Sequence, residues 1–442
     1  MLRSFLQVTA AVGALAIIPI TSGAMAGVDT SSYRELDTFM EVYNTVKANY
    51  VDKVDDKTLV KGAIEGMLAA LDPHSSYADG LDFDNLKIQT EGNYGGLGLT
   101  VTQQDGAVKV IAPTEDGPAA RAGIKSGDFI THLDGKFIVG GSLDEAITQM
   151  RGKPGTKIAL TVVRPGTDKP LQFTLTREII TQKPVKWEVK NGIGIININT
   201  FTARTGGDTA LAIQEIDKKL GHKPLGYIVD LRANGGGLLT EAIAVSDVFL
   251  SHGEIVSQRG REKGDIERYY AESVFPGDLA KGLPVIVLVD SGTASASEIV
   301  AGALQDHHRA LVMGVRSFGK GSVQTILPMG QRAALRLTTA RYYTPSGHSV
   351  QEGGIKPDIL VPQLSDPDYK SRPILREADL RRHLINQQKV DDGVLEEDTT
   401  TDPRFAATAE ELKKKGVEDF QLAYALQTIG RLAQTGAAGK GK

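Results

Sequence analysis

The sequence predicts a multidomain α/β protein with four parts: an N-terminal helical arm, a compact β-rich module, a core of alternating strands and helices, and a C-terminal helical extension. Three patterns predict this arrangement. Apolar residues recur at helical spacing in both terminal regions, short runs of alternating polarity fill 94–177, and strands alternate with helices from 181 onward. Alternation of this last kind is typical of a largely parallel sheet with helices on its faces.

The first 26 residues have the features of an export signal. Arg3 supplies a short positive region, 8–20 form an apolar run, and 24–26 offer the small residues of a cleavage site. The apolar run is shorter than the roughly 20 residues that a membrane span needs. We therefore expect a cleaved signal peptide over 1–26 and a mature exported protein that begins near Gly27. An uncleaved membrane anchor is the alternative.

Composition excludes several kinds of site. The chain has 50 Lys and Arg against 54 Asp and Glu, a formal net charge of −4, so it lacks the basic field of a nucleic-acid-binding protein. It contains no cysteine, which excludes disulfides, cysteine-ligated metals and cysteine nucleophiles. The His pair in "QDHHRA" has no evident third ligand beside it, so we expect neither a metal nor a cofactor.

Glycines, prolines and changes of periodicity divide the chain into segments. "LDTFMEVYNTVKANY" and "DKTLVKGAIEGMLAAL" predict two amphipathic helices within 27–92. "AVKVIAP", "DFITHLDG" and "KIALTVVRP" predict half-buried strands, with one helix at "SLDEAITQM", in a module over 93–180. "IGIININTF", "LGYIVDLR" and "LPVIVLVD" predict the buried strands of a core over 181–372. The remaining segment, 373–442, is polar and helical and ends in a Gly/Lys tail that we expect to be disordered.

Ser295 lies where the last of these strands gives way to a helix, in "TASASEIVAGAL". Ser295 and Glu298 match the Ser-x-x-Glu capping box, so one interpretation is an ordinary helix cap. The other is a nucleophile, because open α/β sheets place their sites at the carboxyl ends of strands and small neighbours let a substrate backbone approach. The start of the helix would also offer backbone N–H groups to a developing oxyanion.

The nearest histidines do not suit the role of the base that activates Ser295, although a Ser-His-Asp arrangement stays an open alternative. His307 would lie about 18 Å away along the same helix, at about 1.5 Å per residue. Lys320 in "SFGKGSVQT" is the better candidate, because a Gly-rich, apolar setting can lower the pKa of a lysine. Gln324, four residues on, could orient the amine or the hydroxyl. A surface-loop lysine is the alternative, whereas Gly321 stands where a phosphate loop requires Ser or Thr.

These motifs together resemble the carboxyl-terminal processing proteases, the tail-specific Ser-Lys peptidases of family S41. The resemblance covers nearly the whole mature chain and is carried by "LDPHSSY", "GGLGL", "DLRANGGG", "GTASASEIVAGALQD", "SFGKGSVQ" and "YYTPSGHSVQEGGIKPDI". It implies a PDZ domain over 93–180 and a protease core of the ClpP/crotonase type over 181–372. The chain departs from the family at "ANGGG", where Asn-Asn-Pro-Gly-Gly is common, and at His348, where Arg is common.

The resemblance also implies a role for each site residue. Ser295 would be the nucleophile, Lys320 the general base and Gln324 the third member of the catalytic set. The backbone N–H groups of Gly236 and Ala296 would bind the oxyanion. The carboxylate-binding loop of the PDZ domain would consist of Gly96, Leu97, Gly98 and Leu99.

The implied function is that of a periplasmic serine endopeptidase that cuts cell-envelope proteins near their C-termini. The PDZ domain would capture the substrate C-terminus or gate the protease. The implied partners are protein substrates, further copies of the chain, and an adaptor or lipoprotein activator. No nucleic acid is expected, and the protein would be at most peripheral to the inner membrane. An inactive or adaptor-dependent PDZ scaffold is the alternative, although an inactive protein would typically have lost one of the three catalytic residues.

Overall fold

The computed structural model describes residues 30–272, 274–369, 371–388 and 405–438. The predicted signal peptide and the predicted disordered tail after 438 lie outside the described residues. The chain divides into two compact units, 1–66 and 67–442, and each is described by itself. None of the helices within the described ranges combines the length and the apolar character that a membrane span requires.

The helices that the sequence predicted are present, and those at 80–91, 118–121 and 239–249 were not predicted. Within the described ranges they are α1 (Thr30–Asn49), α2 (Asp56–Ala69), α3 (Gly80–Glu91), α4 (Pro118–Arg121), α5 (Leu143–Met150), α6 (Thr205–Leu220), α7 (Leu239–Phe249), α8 (Ala296–Asp306), α9 (Ala409–Lys414) and α10 (Phe420–Ala438). A 3₁₀ turn occupies Glu377–Asp379.

The strands belong to the second unit. They are β1 (Ser76–Asp79), β2 (Asn93–Gly96), β3 (Leu99–Gln104), β4 (Ala107–Pro113), β5 (Phe129–Leu133), β6 (Lys136–Phe137), β7 (Lys157–Val163), β8 (Leu171–Thr176), β9 (Glu178–Thr181), β10 (Val185–Lys190), β11 (Ile193–Ile198), β12 (Tyr227–Asp230), β13 (Glu254–Arg259), β14 (Ile266–Tyr270), β15 (Val285–Val289), β16 (Leu311–Gly314), β17 (Ser322–Pro328), β18 (Ala333–Tyr343) and β19 (Ile359–Leu360).

The first unit contains α1 and the first turns of α2. The two helices are joined by Asp56, whose Oδ1 accepts a hydrogen bond from the Tyr43 hydroxyl (2.8 Å) and which forms an ion pair with Lys47. Many apolar side chains of α1 stay exposed, and Leu36 is 59% exposed. The arm therefore carries more apolar surface than its own packing covers.

The β-rich module is a sheet of order β3-β4-β5-β7-β8, with β6 paired to β5. Its core contains buried Val and Ile residues of alternate strand positions, covered in part by Ala146 and Met150 of α5. β3 is an edge strand, with a partner on one side only. The strands that lead into and out of the module, β2 and β9, pair antiparallel with Asn93 opposite Thr181, so the two ends of the module are adjacent.

The core of the larger unit is a six-stranded sheet of order β10-β11-β12-β15-β16-β19. The β10 edge is antiparallel and the other pairs are parallel, which confirms the predicted sheet type. Helices α6, α7 and α8 cover one face, and Ala425 and Ile429 of α10 pack against the other. All five residues of β15 are buried because both faces are covered, which explains its continuous apolar sequence.

A second, antiparallel sheet lies beside the first and was not predicted. Its order is β1-β18-β13-β14, and β17 pairs with the other edge of β18. β1 comes from the region before the β-rich module, whereas β17 and β18 come from the core, so strands more than 200 residues apart meet here. This sheet carries the lysine loop described below.

Candidate active site

Ser295 lies between β15 and α8, at the carboxyl end of the parallel sheet, as the sequence predicted. Its backbone has φ 56° and ψ −116°, a conformation that is unfavourable for a residue with a side chain. The Ser295 N–H donates to Glu298 Oε2 (2.7 Å), and the Glu298 N–H donates to the Ser295 carbonyl (2.8 Å). A strained turn between a strand and a helix is typical of nucleophilic serines, because it projects the side chain from the sheet.

Glu298 joins the serine turn to the lysine loop and is completely buried. Its Oε1 accepts from Ser317 Oγ (2.6 Å) and the Gly319 N–H (2.7 Å), and its Oε2 accepts from the N–H groups of Ser295 and Lys320 (2.7 and 2.9 Å). Burial raises the pKa of Glu298 to about 7, although all four hydrogen bonds act in the opposite direction. The Ser-x-x-Glu spacing in the sequence marks Glu298 only as the partner of a helix cap, so its role in joining the two turns is visible only in the structure.

Lys320 has the lowered pKa that a lysine base requires. Burial lowers its pKa to about 8, and the positive charge of Arg336 acts in the same direction. The carboxylates of Glu377, Glu298 and Asp72 oppose this shift. The Lys320 Nζ donates to Gln324 Oε1 at 2.7 Å, so the structure brings together the two residues that the sequence paired. Within the described residues no hydrogen bond joins Lys320 Nζ to Ser295 Oγ; in a free enzyme such a bond is often long.

Gln324 reaches this position through a β-bulge. β17 and β18 pair Val323 with Ala340, but the register then shifts and Gln324 lies opposite Thr338. The Gln324 Nε2 donates to Thr338 Oγ1 (3.2 Å) and to Ser322 Oγ (3.0 Å). Both ends of the amide are therefore hydrogen-bonded.

Ser295, Lys320 and Gln324 line a single cavity of about 460 Å³. Apolar side chains such as Leu239 and Ile299 form part of its wall. Helix α3, which precedes the β-rich module, contributes Leu86, Gln89 and Thr90, a contribution that the sequence did not reveal. This volume lies within the range of about 300–1,000 Å³ that is typical of ligand-binding pockets.

The glycine turn after β12 packs directly against the serine turn. Gly236 has φ 98°, and a Cβ at this position would lie within 2.9 Å of Ala294 O, Ala296 N and Ser295 Cβ. The Gly236 N–H donates to Asn234 Oδ1 (2.9 Å) in this structure. Ala296 is the first residue of α8, where a helix leaves its N–H groups without an intrahelical acceptor. The two predicted oxyanion donors thus belong to adjacent turns.

The four residues predicted for the carboxylate loop form the turn that leads into the edge strand β3. Gly96 ends β2, Leu97 is buried, Gly98 has φ 68°, and Leu99 begins β3. The carbonyls of Leu97 and Gly98 accept from the N–H groups of Ala119 (3.0 Å) and Thr114 (2.8 Å). Because these carbonyls are fixed by the module itself, the loop has a defined shape.

Family models match most of the chain. A model described as "Peptidase family S41" matches residues 192–361, and one described as "PDZ domain" matches 95–175. A third, "Activating protease CtpB N-terminal domain", matches 20–80. Together they cover the helical arm, the β-rich module and the core.

Individual relatives agree with these matches. A carboxy-terminal-processing protease of Bartonella bacilliformis is 49% identical over 367 residues, which cover 83% of this chain and 84% of the relative. The carboxy-terminal processing protease CtpB of Bacillus subtilis is 33% identical over 413 residues, covering 92% and 83%. Among solved structures, the photosystem II D1 C-terminal processing protease is 29% identical with a TM-score of 0.43, covering 75% of this chain and 92% of that one. On the strength of the sequence relatives, the chain belongs to the carboxy-terminal processing proteases, serine proteases of peptidase family S41 that here carry a PDZ domain.

Proposed function

We propose that this protein is a periplasmic endopeptidase that cleaves cell-envelope proteins near their C-termini. Ser295 is its nucleophile, Lys320 its general base and Gln324 the residue that orients the base. The observation that carries the proposal is that these three side chains line one cavity, in which burial lowers the pKa of the lysine to about 8. A serine alone at a helix start would not support it.

The mechanism follows from the protonation state of Lys320. The neutral amine takes the proton of Ser295 Oγ as this oxygen attacks the peptide carbonyl carbon. The resulting ammonium gives that proton to the leaving amine, and the C–N bond breaks. Water then attacks the acyl-enzyme with Lys320 again as the base, which releases the new carboxylate and restores the serine.

Gly236 and Ala296 are the proposed donors to the oxyanion. The Gly236 N–H has to exchange its bond to Asn234 Oδ1 for one to the oxyanion. The Ala296 N–H is at the positive end of the dipole of α8, which favours a developing negative charge. Each such donor contributes about 3 kcal/mol to transition-state stabilisation.

Ser295→Ala should abolish cleavage of an unfolded protein substrate, because the other residues of the site cannot replace the nucleophile. The loss should be on the order of 10³-fold or more in kcat, since the site without its nucleophile retains only binding and oxyanion stabilisation. Ser291→Ala is a matched control four residues earlier, and it should cleave at the wild-type rate. Full activity in Ser295→Ala would show that this serine only caps the helix, and it would refute the mechanism. A wild type that is silent under all conditions would favour the adaptor-dependent scaffold.

The PDZ domain is proposed to capture the substrate C-terminus and to feed or gate the protease. Its loop of Gly96, Leu97, Gly98 and Leu99 precedes the edge strand β3, so a peptide can add to the sheet beside β3 with its carboxylate at the loop. This is the recognition mode in which backbone hydrogen bonds supply affinity and the loop reads the chain end.

A peptide substrate with a free C-terminal carboxylate should be cleaved faster than the same peptide with a C-terminal amide. We expect a difference on the order of tenfold in kcat/KM, the value of one set of hydrogen bonds to a charged group. A variant that lacks 94–177 is the control and should not discriminate between the peptides. The two residues that this deletion joins, Asn93 and Glu178, belong to the paired strands β2 and β9 and therefore lie close together. Equal rates for both peptides in the full-length protein would contradict capture by the carboxylate.

The helical arm is proposed to mediate self-association or the binding of an adaptor or lipoprotein activator. The exposed apolar residues of α1 support this, namely Tyr33, Leu36, Phe39, Met40 and Val42. Export by a cleaved signal peptide over 1–26, and a peripheral position at the inner membrane, remain part of the proposal. Light scattering measures self-association, and cell fractionation measures export and association with the membrane.

A further inference from the structure

The Gln324 amide has to face Lys320 with its oxygen end. In the structure Lys320 Nζ donates to Gln324 Oε1 at 2.7 Å. The two ends of an amide are almost the same size, so a half-turn would place Nε2 against Nζ at little steric cost. The amide would then donate to the lone pair with which the neutral lysine takes the Ser295 proton. The orientation of one amide therefore decides whether the base is available.

Two hydroxyl groups face the nitrogen end of that amide. Gln324 Nε2 donates to Ser322 Oγ at 3.0 Å and to Thr338 Oγ1 at 3.2 Å. A hydroxyl can donate or accept, so neither contact alone sets the direction of the amide. The orientation of the amide therefore depends on the acceptor to which the hydroxyl donates.

The Thr338 proton is committed to Asp72, a residue 266 positions earlier in the chain. Thr338 Oγ1 donates to Asp72 Oδ1 at 3.1 Å, and Asp72 is only 4% exposed. Asp72 also accepts from Ser75 Oγ (2.7 Å) and from the N–H groups of His74 and Ser75 (2.8 Å each). Burial alone would raise the pKa of Asp72, but these hydrogen bonds outweigh burial and hold the pKa below its ordinary value. An ionised carboxylate only accepts, so the Thr338 hydroxyl donates to it and leaves its lone pairs for Gln324.

We propose that Thr338 is a positioning residue for the catalytic base, and the inference rests on the proposed Ser-Lys mechanism. Its hydroxyl, oriented by Asp72, keeps the Gln324 oxygen toward Lys320. The lysine then donates one hydrogen to that oxygen and keeps its lone pair free for the serine proton. Thr338 does not line the cavity that Gln324 lines, so it acts only through Gln324.

Thr338 affects the orientation of the Gln324 amide and adds no charge to the site. The charged groups that act on Lys320 come from four separate segments and are Arg336, Glu298, Glu377 and Asp72. Removing the Thr338 hydroxyl leaves all of them in place. A change in the pH profile of such a variant would therefore report the amide rather than a lost charge.

The test compares Thr338→Val, which keeps the shape but has no hydroxyl, with Thr338→Ser, which keeps the hydroxyl. The kcat and KM for a peptide with one cleavage site are measured from pH 6 to 10. Thr338→Val should lower kcat on the order of tenfold or more, the value of one hydrogen bond in a partly buried network, and leave KM within about twofold. The rise of kcat with pH should move to lower pH, because the Lys320 ammonium loses the Gln324 oxygen as its acceptor and the pKa of Lys320 falls. Thr338→Ser should restore both properties to near the wild type.

Thr339→Val is the matched control. Its hydroxyl bonds to that of exposed Thr325 (2.6 Å), so this variant should keep the wild-type kcat and pH profile. A folded Thr338→Val with the wild-type kcat and pH profile would overturn the inference. So would a Thr338→Ser as impaired as Thr338→Val.

Asp72→Asn provides a second route if Thr338→Val does not fold. The new amide can donate to Thr338, whose proton would then turn toward Gln324 and favour the wrong amide orientation. The same loss of kcat is expected, and a wild-type kcat would contradict the inference. The pH profile of this variant is not a readout of the amide, because loss of the Asp72 charge lowers the pKa of Lys320 by itself. Ser295→Ala and Lys320→Met belong in the same assay. Activity in either would refute the proposed function, whereas two inactive variants beside a wild-type-like Thr338→Val would refute only the positioning role.

Discussion

Lys320→Met should abolish peptide cleavage and, at pH 7, raise the thermal stability of the protein. In the proposed mechanism cleavage is lost because the thioether of methionine is far too weak a base to take the Ser295 proton. Stability rises because burial lowers the pKa of Lys320 to about 8, so the folded protein holds an ammonium in surroundings that disfavour it. In the wild type, kcat/KM should rise with pH as Lys320 loses its proton, and the midpoint of that rise should lie near pH 8.

The sign of the stability effect follows from the two pKa values. Between about 8 in the folded protein and 10.5 in the unfolded chain, the unfolded chain binds the additional proton, so wild-type stability rises with pH over this window. Below pH 8 the wild type carries the full penalty, on the order of 3 kcal/mol. The lost bond to Gln324 Oε1 offsets about 1 kcal/mol of the gain. The advantage of Lys320→Met should therefore be largest near pH 7 and shrink toward pH 10.

Lys186→Met is the matched control, because Lys186 is exposed on β10, an edge strand of the parallel sheet. It should change neither activity nor melting temperature. Thermal melts at pH 7 and pH 10, together with the cleavage assay, complete the measurement. Retained cleavage in Lys320→Met would remove the lysine from the mechanism. Loss of cleavage without any gain in stability would show that burial of the ammonium is not costly.

Glu298→Gln should lower kcat on the order of 100-fold, the effect expected when a reacting group is displaced by about 1 Å. It should also lower the melting temperature. Four donors converge on the Glu298 carboxylate, two on each oxygen. Glutamine supplies one acceptor oxygen, so its NH₂ group has to face two of these donors. Each buried donor left without an acceptor costs about 1–3 kcal/mol.

The raised pKa of Glu298 does not make glutamine a good substitute. Burial raises the pKa of this carboxyl to about 7, which means that the ionised form is costly above pH 7. Removing the charge relieves that cost, but the added NH₂ group is a further donor where only acceptors fit. Glu241→Gln is the control, because the Glu241 carboxylate accepts the N–H of Gly206 (2.9 Å) and has no bond to the lysine loop. A Glu298→Gln variant with wild-type kcat would show that the carboxylate does not hold the serine and lysine backbones in place.

Much of the fold could be predicted because the relevant signals are local. The apolar run Val285–Val289 and the small residues after it place Ser295 at the carboxyl end of a buried strand, and the structure confirms that placement. The alternation of strands and helices likewise predicted the parallel sheet, since burial on both faces needs continuous apolar strands. The spacing of glycines and prolines marked the β-rich module.

The sequence by itself therefore determined the fold class, the serine turn, and the identity of a lysine and a glutamine as candidates. Only the tertiary structure decided what surrounds them. The antiparallel sheet brings Asp72 to Thr338, and the bulge after Val323 turns Gln324 toward Thr338. The serine turn and the lysine loop each deliver one backbone N–H group to Glu298 Oε2. Local periodicity contains no information about such contacts: Asp72 and Thr338 are 266 residues apart, the bulge depends on how β17 pairs with β18, and the Glu298 contacts depend on how the serine turn packs against the lysine loop. The pKa of the lysine follows from its burial in this arrangement, and the direction of its hydrogen bond follows from the position of Gln324.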